Sequence, residues 1–458
     1  MRVLLAVAPP KQTQSKMPDL GLGYLATALR KSGHQVAIYQ GETDESLDRF
    51  LSMIREFRPA LLGLKIFSLE VVSARESMEA VRTEFPDMRQ VIGGPHVSIM
   101  QIDEFETLFP AMDFAIRGEG EIPLPMLADA LDNRASDFRH IPGIVYRHGE
   151  SWSATPPVRH PNLDDFGMPA WDLMDPRKYT DRWFFWNPAE VGAPIITSRG
   201  CPYRCSFCAQ NIVGGKRLRQ RSLANVLDEL DLLINQFGMT DFEIMDDNFM
   251  MNMDFVTGFC RGIINRGWKI TWSCGGSRLD NLDLPTVRLM EQAGCTILSV
   301  GLESGSQRVL DYMCKDLRLE TVRVKTAMIT RNSSIKIHAM FILGYPTETR
   351  QDILKTIAFA KKLDIFAATF FTFLLLPGSP EFARLLDRGE ITNPPFRAIR
   401  IDSHIYAPQG MTLKELKRLY HRAFLSFYLR PHVLWRIFRA TWHRIPVILK
   451  NAIRKWHF

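Results

Sequence analysis

The amino-acid sequence predicts an α/β protein in which two strand–helix arrays are joined by a linker and followed by a helical appendage. Three observations support this fold class. Strand-like and helix-like runs alternate along residues 1–130 and again along residues 191–385. Residues 131–190 lack a clear period and are rich in Pro, Asp and Trp, which is typical of a linker. Residues 386–458 combine helical runs with basic and aromatic side chains.

The first array predicts a doubly wound parallel sheet with helices on both faces. It opens with the apolar run "VLLAVAPP" at 3–10, and a helix, a glycine turn and a second strand share residues 23–39. Further helix-like or strand-like runs lie at 47–57, 61–67, 71–85, 90–94 and 113–118. Ligands of such sheets bind at the carboxyl ends of the strands, which here carry "GGPH" and "GEGE".

The second array contains six strand-like runs, each followed by a helix-like segment. Six strand–helix units predict an open, partial barrel, because a closed barrel of this kind has eight. The six runs are "APIITSRG", "DFEIMDDNF", "KITWSCGG", "TILSVGLESG", "KIHAMFILGYP" and "ATFFTFLLLPG".

Cysteine usage and the amino-terminal residues favour a cytoplasmic protein. The chain has seven cysteines, and the first 200 residues contain none. A secreted disulfide scaffold is shorter and denser in cysteine, so we expect a reducing compartment. The first apolar run is too short for a signal peptide, and no stretch approaches the roughly 18 apolar residues of a membrane span.

The basic charge of the chain is concentrated near its carboxyl end. Residues 414–455 contain eleven basic side chains against one acid, Glu415, so the rest of the chain carries −3 of the total +7. The body therefore offers no polyanion-binding surface, and we expect no nucleic acid partner. Residues 421–458 interleave Phe, Tyr, Trp and Leu with Arg and Lys. Two interpretations stay open, a helical cap on the barrel and a segment in peripheral contact with a membrane.

The stretch "TSRGCPYRCSFC" at 197–208 places three cysteines directly after the first strand of the second array. A structural zinc site needs a fourth Cys or His, and residues 209–259 hold neither. Three thiolates suit a soft metal or an iron–sulfur cluster, and a cluster with three protein ligands leaves one iron open. The other four cysteines are single, and we interpret them as structural: Cys260, Cys274, Cys295 and Cys314.

The spacing C-x₃-C-x₂-C, with Phe207 before the last Cys, resembles the signature of the radical S-adenosylmethionine (SAM) enzymes. The whole stretch resembles the subfamily with an amino-terminal cobalamin-binding domain, which includes class B methyltransferases and the anaerobic magnesium-protoporphyrin monomethyl ester cyclase. The resemblance implies a flavodoxin-like first domain and a [4Fe–4S] cluster on Cys201, Cys205 and Cys208. It further implies SAM on the open iron, an electron donor of flavodoxin or ferredoxin type, and reductive cleavage of SAM to a 5′-deoxyadenosyl radical.

The same resemblance places SAM-binding groups at the ends of the barrel strands. It implies groups near the SAM amino group after the second strand, a carboxylate partner after the third, a ribose partner after the fourth, and an adenine wall at "ILGYPTET". At that wall the family often has an acid three residues after the Gly, whereas this chain has Thr347 there and Glu348 next. For each residue alone, a strand-end or cap role fits equally well. The candidates are Phe207, Asp246, Asp247, Asn248, Arg278 and Glu303.

The resemblance also implies cobalamin between the first sheet and the barrel. "GGPH" and "RGEGE" match the subfamily and give the candidates Gly93, Gly94, His96, Gly118 and Glu119. The loop after the first strand contains no His, so we expect cobalamin to bind with its base displaced and with no His beneath the cobalt. An interaction or nucleotide-binding module is the alternative for this domain.

Together these features predict a cobalamin-dependent radical SAM enzyme that methylates an unactivated carbon of a small-molecule or lipid-like substrate, through a 5′-deoxyadenosyl radical and methylcobalamin. The alternatives are a cyclase or ring-rearranging enzyme without methyl transfer, and a non-catalytic corrinoid and redox-binding module. The sequence identifies no catalytic acid or base. Aromatic residues at 182–186 fit an apolar cavity wall or packing within the linker.

Overall fold

The computed structural model describes residues 1–9, 17–40, 46–179, 192–392 and 404–442, so the aromatic run at 182–186 lies outside the described residues. The first domain alternates strands and helices as predicted. Its elements are β1 Arg2–Val7, α1 Leu20–Lys31, β2 Gln35–Gln40, α2 Leu47–Phe57, β3 Leu61–Lys65, α3 Val71–Glu84, β4 Arg89–Gly93, α4 Pro95–Ile99, α5 Glu104–Leu108, β5 Phe114–Ile116 and α6 Pro123–Asp132.

The first five strands form a parallel sheet in the order β2-β1-β3-β4-β5, the flavodoxin-like arrangement that was predicted. Alternate residues of β1 enter separate cores. Leu4 packs with helix residues such as Phe50 on one face, and Leu5 packs with Leu29 of α1 on the other. Because both faces are buried, β1 is an uninterrupted apolar run rather than an alternating one.

The first sheet extends beyond the predicted boundary at residue 130. Two antiparallel strands, β6 Ile144–His148 and β7 Ser151–Ala154, pair onto β5 and complete a seven-stranded sheet. The sequence analysis placed these residues in the linker. The hairpin lies at a sheet edge, where its strands are short and only Ile144, Val145 and Tyr146 are buried, so its apolar pattern is too brief to recognise.

The second domain includes the six predicted strand–helix units, and a separate two-stranded sheet of Ser198–Arg199 and Arg219–Gln220 lies between its first strand and its first long helix. Its elements are β8 Gly192–Ile195, β9 Ser198–Arg199, α7 Gln210–Val213, β10 Arg219–Gln220, α8 Leu223–Phe237, β11 Asp241–Ile244, α9 Met253–Asn265, β12 Thr271–Ser277, α10 Leu284–Gln292, β13 Cys295–Glu303, α11 Gln307–Tyr312, α12 Leu319–Asn332, β14 Lys336–Leu343, α13 Arg350–Lys362, β15 Ala367–Thr372 and α14 Pro380–Asp387. Short 3-10 helices lie at 163–166, 176–178 and 249–251.

Six barrel strands pair in the order β15-β14-β13-β12-β11-β8, and every pairing is parallel. This confirms the predicted partial barrel. Because the strands are parallel, their carboxyl ends meet at one edge, where the polar side chains of the predicted motifs therefore gather. The interior between sheet and helices is apolar, with Trp272, Phe242, Phe259 and Phe341 fully buried.

The helical appendage comprises α15 Leu413–Tyr428 and α16 Pro431–Thr441. One face of α15 buries Leu416 and Phe427 against the barrel. The Tyr428 hydroxyl donates to the carbonyl of Ala368 at 2.7 Å and so ties α15 to β15. Within the described ranges, no helix combines the length and apolar character that crossing a membrane needs.

Candidate functional site

The three cysteines lie on a loop between β9 and α7, at the carboxyl edge of the barrel. All three thiols are free and partly buried. Antiparallel pairing of β9 with β10 closes the loop, and the amide of Cys201 donates to the carbonyl of Gly215 at 3.1 Å. The cysteine motif therefore occupies a defined backbone position next to the strand ends.

A buried polar network holds the middle of this loop. The Ser206 hydroxyl lies 2.7 Å from the Tyr345 hydroxyl, which donates to Glu381 at 3.2 Å. Tyr312 donates to the other oxygen of Glu381 at 3.2 Å, and the Glu381 amide donates to the carbonyl of Ser206 at 2.9 Å. Ser206, Tyr345 and Glu381 are each at most 1% exposed. These residues position the backbone between Cys205 and Phe207, a role that the sequence analysis missed.

An iron–sulfur cluster is bound by cysteine thiolates, so the protonation of the three thiols matters. Burial raises the pKa of all three, to about 11 for Cys208, where the other two cysteines add to the effect. A bound cationic cluster reverses this balance, because it stabilises the thiolates. In the described part of the chain no three His, Cys, Asp or Glu side chains are placed to hold a single metal ion. In a [4Fe–4S] cluster, by contrast, the cysteines bind separate iron atoms.

The acidic residues after β11 hold the strand that leads into the cysteine loop. Asp246 is buried and accepts from the Thr197 amide at 2.6 Å, the Thr197 hydroxyl at 2.5 Å and the Ser198 hydroxyl at 2.6 Å. Asp247 accepts from the amide of Gly200 at 2.9 Å. Asn248 is 3% exposed, and its side-chain oxygen has no partner among the described residues. Asp246 therefore positions the loop, while Asn248 retains an acceptor for a ligand.

Arg278 and Glu303 follow β12 and end β13, and both are engaged with neighbouring groups. Arg278 stacks on Tyr203 of the cysteine loop, 4.0 Å from the ring centre, and donates to the carbonyl of Lys315 at 2.6 Å. Glu303 accepts from the ammonium of Lys315 at 2.9 Å, and this ammonium lies 5.6 Å from the ring centre of Phe207. Lys315, which the sequence analysis did not single out, thus links two predicted SAM-binding residues to the cysteine loop. Their contact with SAM stays a prediction.

Glu348 caps the turn after β14 from inside the protein. One carboxyl oxygen accepts from the amides of Gly344 at 2.6 Å and Tyr345 at 3.1 Å, and the other has no partner among the described residues. Burial raises the pKa of Glu348 to about 8, despite these two hydrogen bonds. Thr347 has a left-handed backbone with φ of 73°. The strand end where this chain departs from the family pattern therefore carries a buried acid, Glu348, one residue after Thr347.

A cleft between the two domains joins the predicted cobalamin site to residues on either side of the cysteine loop. The edge of the first sheet contributes Gly93, Gly94, Gly118 and Glu119, four of its five predicted residues. The barrel contributes Asp247, among other residues. The full lining is Leu5, Gly21, Leu22, Tyr24, Leu25, Gly63, Leu64, Lys65, Val91, Ile92, Gly93, Gly94, Pro95, Ile116, Gly118, Glu119, Gly120, Glu121, Leu124, Ile196, Ser198, Arg199, Gln210, Val213, Gly214, Met245 and Asp247.

The glycines at the end of β4 suit the close approach of a bulky ligand. A Cβ on Gly94 would meet the backbone nitrogen and oxygen of Ile66 at 3.0 Å, and its φ of 101° disfavours any other residue. A Cβ on Gly93 would meet only the carbonyl of Ile116, at 3.7 Å, and would otherwise fill the cleft. The site therefore fits a large planar group such as a corrin.

His96, the fifth predicted residue, does not line the cleft. It is 2% exposed in the first turn of α4, and its Nδ1 lies 3.0 Å from the Ser68 hydroxyl. Burial lowers its pKa to about 4, so the ring is neutral at physiological pH. Among the described residues that line the cleft, none is a histidine, and cobalt without a histidine beneath it stays a prediction.

Replacement of His96 by Ala is therefore expected to leave the cobalt environment unchanged. The measurement is the electron paramagnetic resonance spectrum of the Co(II) form of the reconstituted protein. We expect no nitrogen hyperfine splitting from a protein ligand in either the parent or the His96→Ala protein. Splitting that is present in the parent and lost in the variant would assign His96 as the lower ligand.

Buried ion pairs connect the first domain to the cysteine loop. Arg219 on β10 donates from both terminal nitrogens to Glu119, each at 2.7 Å. Arg199, two residues before Cys201, donates to Glu121 at 2.6 Å and to Glu119 at 3.2 Å. Burial alone raises the pKa of Glu119, but hydrogen bonding to Arg219 and the charge of Arg199 outweigh it and lower that pKa. The Glu119 carboxylate is therefore ionised at neutral pH and holds the two domains together.

A doubly wound domain beside an open six-stranded barrel, with three cysteines after the first barrel strand, defines the radical SAM enzymes that carry a cobalamin domain. Comparison with known families agrees with this geometry. The radical SAM superfamily matches residues 195–360, and the B12 binding domain matches residues 11–128. The chain is a cobalamin-dependent radical SAM enzyme, and its cofactors are a [4Fe–4S] cluster, SAM and cobalamin.

Individual relatives share nearly the whole architecture. An uncharacterized methyltransferase of Pyrococcus horikoshii is 29% identical over 99% of this chain and 97% of its own. The anaerobic magnesium-protoporphyrin IX monomethyl ester cyclase of Cereibacter sphaeroides is 26% identical over 92% of this chain and 69% of its own. The structure of the radical SAM methyltransferase TsrM of Kitasatospora setae, 22% identical, covers 92% of this chain and 81% of its own with a TM-score of 0.68.

Proposed function

We propose that the enzyme methylates an unactivated carbon of a small-molecule or lipid-like substrate. The observation that carries this proposal is the single cleft shared by the two domains. Asp247 lines that cleft and also accepts from the amide of Gly200, the residue before Cys201. Gly93 and Gly94 line the same cleft from the first domain. A methyl carrier on the glycine edge would thus lie in a cleft whose barrel side is hydrogen-bonded, through Asp247, to the loop that would hold the radical source.

When bound, the cluster and SAM supply a radical that removes a hydrogen atom from the substrate, and cobalamin carries the methyl group. The chain supplies position and an apolar enclosure. Leu22, Leu25, Val91, Ile92 and Met245 are among the apolar residues that line the cleft. Such walls exclude water, which otherwise diverts reactive intermediates. The ion pairs of Arg199 and Arg219 hold the two halves of the cleft together.

The relatives support methyl transfer but also supply the alternative. The Pyrococcus relative, which matches this chain almost from end to end, is named a methyltransferase. The Cereibacter relative is named a cyclase, so the second candidate function is an oxidative cyclisation that uses the same cofactors. No described residue distinguishes the two reactions, because both need the same cysteine loop and the same cleft.

The distinguishing experiment supplies SAM with a trideuterated methyl group to the reconstituted holoenzyme, with candidate substrates chosen from the reactions of neighbouring genes. Methyl transfer predicts a product heavier by the labelled methyl group. It also predicts S-adenosylhomocysteine and 5′-deoxyadenosine in equal amounts, because one SAM supplies the methyl group and a second supplies the radical.

The control is the protein with Cys201, Cys205 and Cys208 all replaced by Ala, which is expected to form no 5′-deoxyadenosine. Substrate conversion with 5′-deoxyadenosine, but without label in the product and without S-adenosylhomocysteine, would contradict methyl transfer and favour the alternative, a cyclase or ring-rearranging enzyme without methyl transfer.

A further inference from the structure

The last helix of the described chain turns an apolar face outward. On its inner side Val433 is 1% exposed, and Arg436 donates to Asp364 and to the carbonyl of Ile365, each at 3.2 Å. Four large side chains lie on the opposite side of α16, at spacings that place them on one stripe of a helix. We call them the α16 face: Leu434, Trp435, Phe438 and Trp442, which are 47%, 63%, 51% and 62% exposed.

The preceding helix presents cations beside further exposed leucines. The inner side of α15 is the apolar face that covers the barrel, and its outer side carries a shallow groove. Within the groove, Arg418 and Arg422 have no ion-pair partner among the described residues. Leu425 and Leu429 are 56% and 63% exposed. The groove is lined by Arg418, His421, Arg422, Leu425, Ser426, Leu429 and Arg430.

This arrangement reverses the usual polarity of a surface helix, whose outward side is polar. The exposed Trp, Phe and Leu side chains of the α16 face match the chemistry of a phospholipid surface. So do the exposed leucines of the α15 groove, which lie beside cations that have no ion-pair partner among the described residues. The aromatic and aliphatic groups favour the interfacial region, and the cations favour anionic headgroups. Trp435 and Phe438 stack on each other with ring centres 6.0 Å apart, so they form one continuous apolar surface.

We propose that α15 and α16 dock the enzyme on an anionic phospholipid bilayer. The α16 face enters the headgroup region, and Arg418 and Arg422 meet the lipid phosphates. The 11 residues of α16 span roughly 16 Å, about half of a bilayer's hydrocarbon core, so the helix lies along the surface. The proposal goes beyond the proposed function and does not depend on it, because no residue of the cysteine loop or the cleft takes part.

The test is sedimentation of the full-length holoenzyme with vesicles of phosphatidylcholine alone or with added phosphatidylglycerol. We expect binding to the anionic vesicles only, weakened by salt. The double variant Trp435→Ser/Phe438→Ser is expected to lose about tenfold or more of the binding, because two interfacial aromatic groups are removed. Arg418→Gln/Arg422→Gln is expected to lose roughly fivefold per cation and part of the salt dependence.

The matched control is Val324→Ser/Arg331→Gln on α12, which also removes an exposed apolar group and an exposed cation. It is expected to bind vesicles like the parent. All variants are expected to retain the cluster, which confirms that they fold. A parent protein that does not bind anionic vesicles at low salt overturns the proposal, as does full binding by Trp435→Ser/Phe438→Ser. A parent dimer that this variant converts to a monomer would instead assign the α16 face to a second copy.

Discussion

Replacement of Cys201, Cys205 and Cys208 together by Ala is expected to abolish cluster binding. The parent protein, reconstituted under anaerobic conditions, is expected to hold about four irons and four sulfides per chain, the content of one [4Fe–4S] cluster. The loss is expected to be complete, because the triple variant leaves the loop without a thiolate ligand. Iron and sulfide content, together with the visible absorption of the cluster, measures the effect.

The remaining cysteines supply the control for this experiment. Cys260 and Cys295 lie in the barrel core, are 0% and 3% exposed, and their thiol pKa values are raised by burial. They are structural, so Cys260→Ala and Cys295→Ala are expected to keep the full cluster content. A full cluster in the triple variant would show that other residues bind the iron, and the assignment of the loop would be wrong.

The fold was largely predictable because its periodicity is strong. Strands buried on both faces, such as β1 and β14, are long apolar runs, and the helices between them have clear amphipathic patterns. The prediction missed the hairpin at 144–154, because a short antiparallel edge strand is apolar over too few residues. In "GGPH" and "RGEGE", Gly94 and Gly118 have positive φ angles that disfavour most other residues, so the need for glycine at these two positions is local.

The candidate site was predictable only where a sequence motif is specific for one kind of chemistry. The cysteine spacing identified the loop, and parallel strand order placed the acidic residues at the same edge. Residues that position another residue of the site belong to no recognisable sequence motif. Glu381 lies far along the chain from Ser206 and is fully buried, yet in the sequence it is an ordinary acid at a helix start. Lys315 is likewise an ordinary surface-type residue until folding buries it against Glu303.

The structure adds a positioning role to two predicted residues. The carboxylate of Asp246, which was predicted to lie near the SAM amino group, accepts three hydrogen bonds from Thr197 and Ser198. Arg278, which was predicted to reach the SAM carboxylate, stacks on Tyr203. Both side chains hold the cysteine loop in place. A sequence motif identifies which residues belong to a site, whereas the packed structure shows which neighbours each of them holds; contact of Asp246 and Arg278 with SAM stays a prediction.

Replacement of Arg219 by Met is expected to lower methyl transfer to the substrate more than it lowers the formation of 5′-deoxyadenosine. Arg219 is 6% exposed, makes two hydrogen bonds to Glu119 and lies on β10, outside the residues that line the cleft. The variant leaves the buried Glu119 carboxylate with Arg199 as its remaining charged partner, at 3.2 Å. Removing one partner of a buried pair costs about 3–5 kcal/mol of unfolding free energy. Here we expect much of that cost to appear as weaker docking of the first domain on the barrel.

Because all three cysteines are kept, Arg219→Met is expected to retain the cluster and to form 5′-deoxyadenosine. Formation of the labelled product is expected to fall by about 100-fold, the effect of a displacement near 1 Å between reacting groups. Arg219→Lys keeps the charge but not the paired geometry, so an intermediate loss is expected. Glu84→Gln removes a comparable but exposed pair with Arg55 and is the control, with turnover and stability unchanged. Equal losses of 5′-deoxyadenosine and product in Arg219→Met would show that Arg219 supports the cysteine loop rather than the junction between the domains.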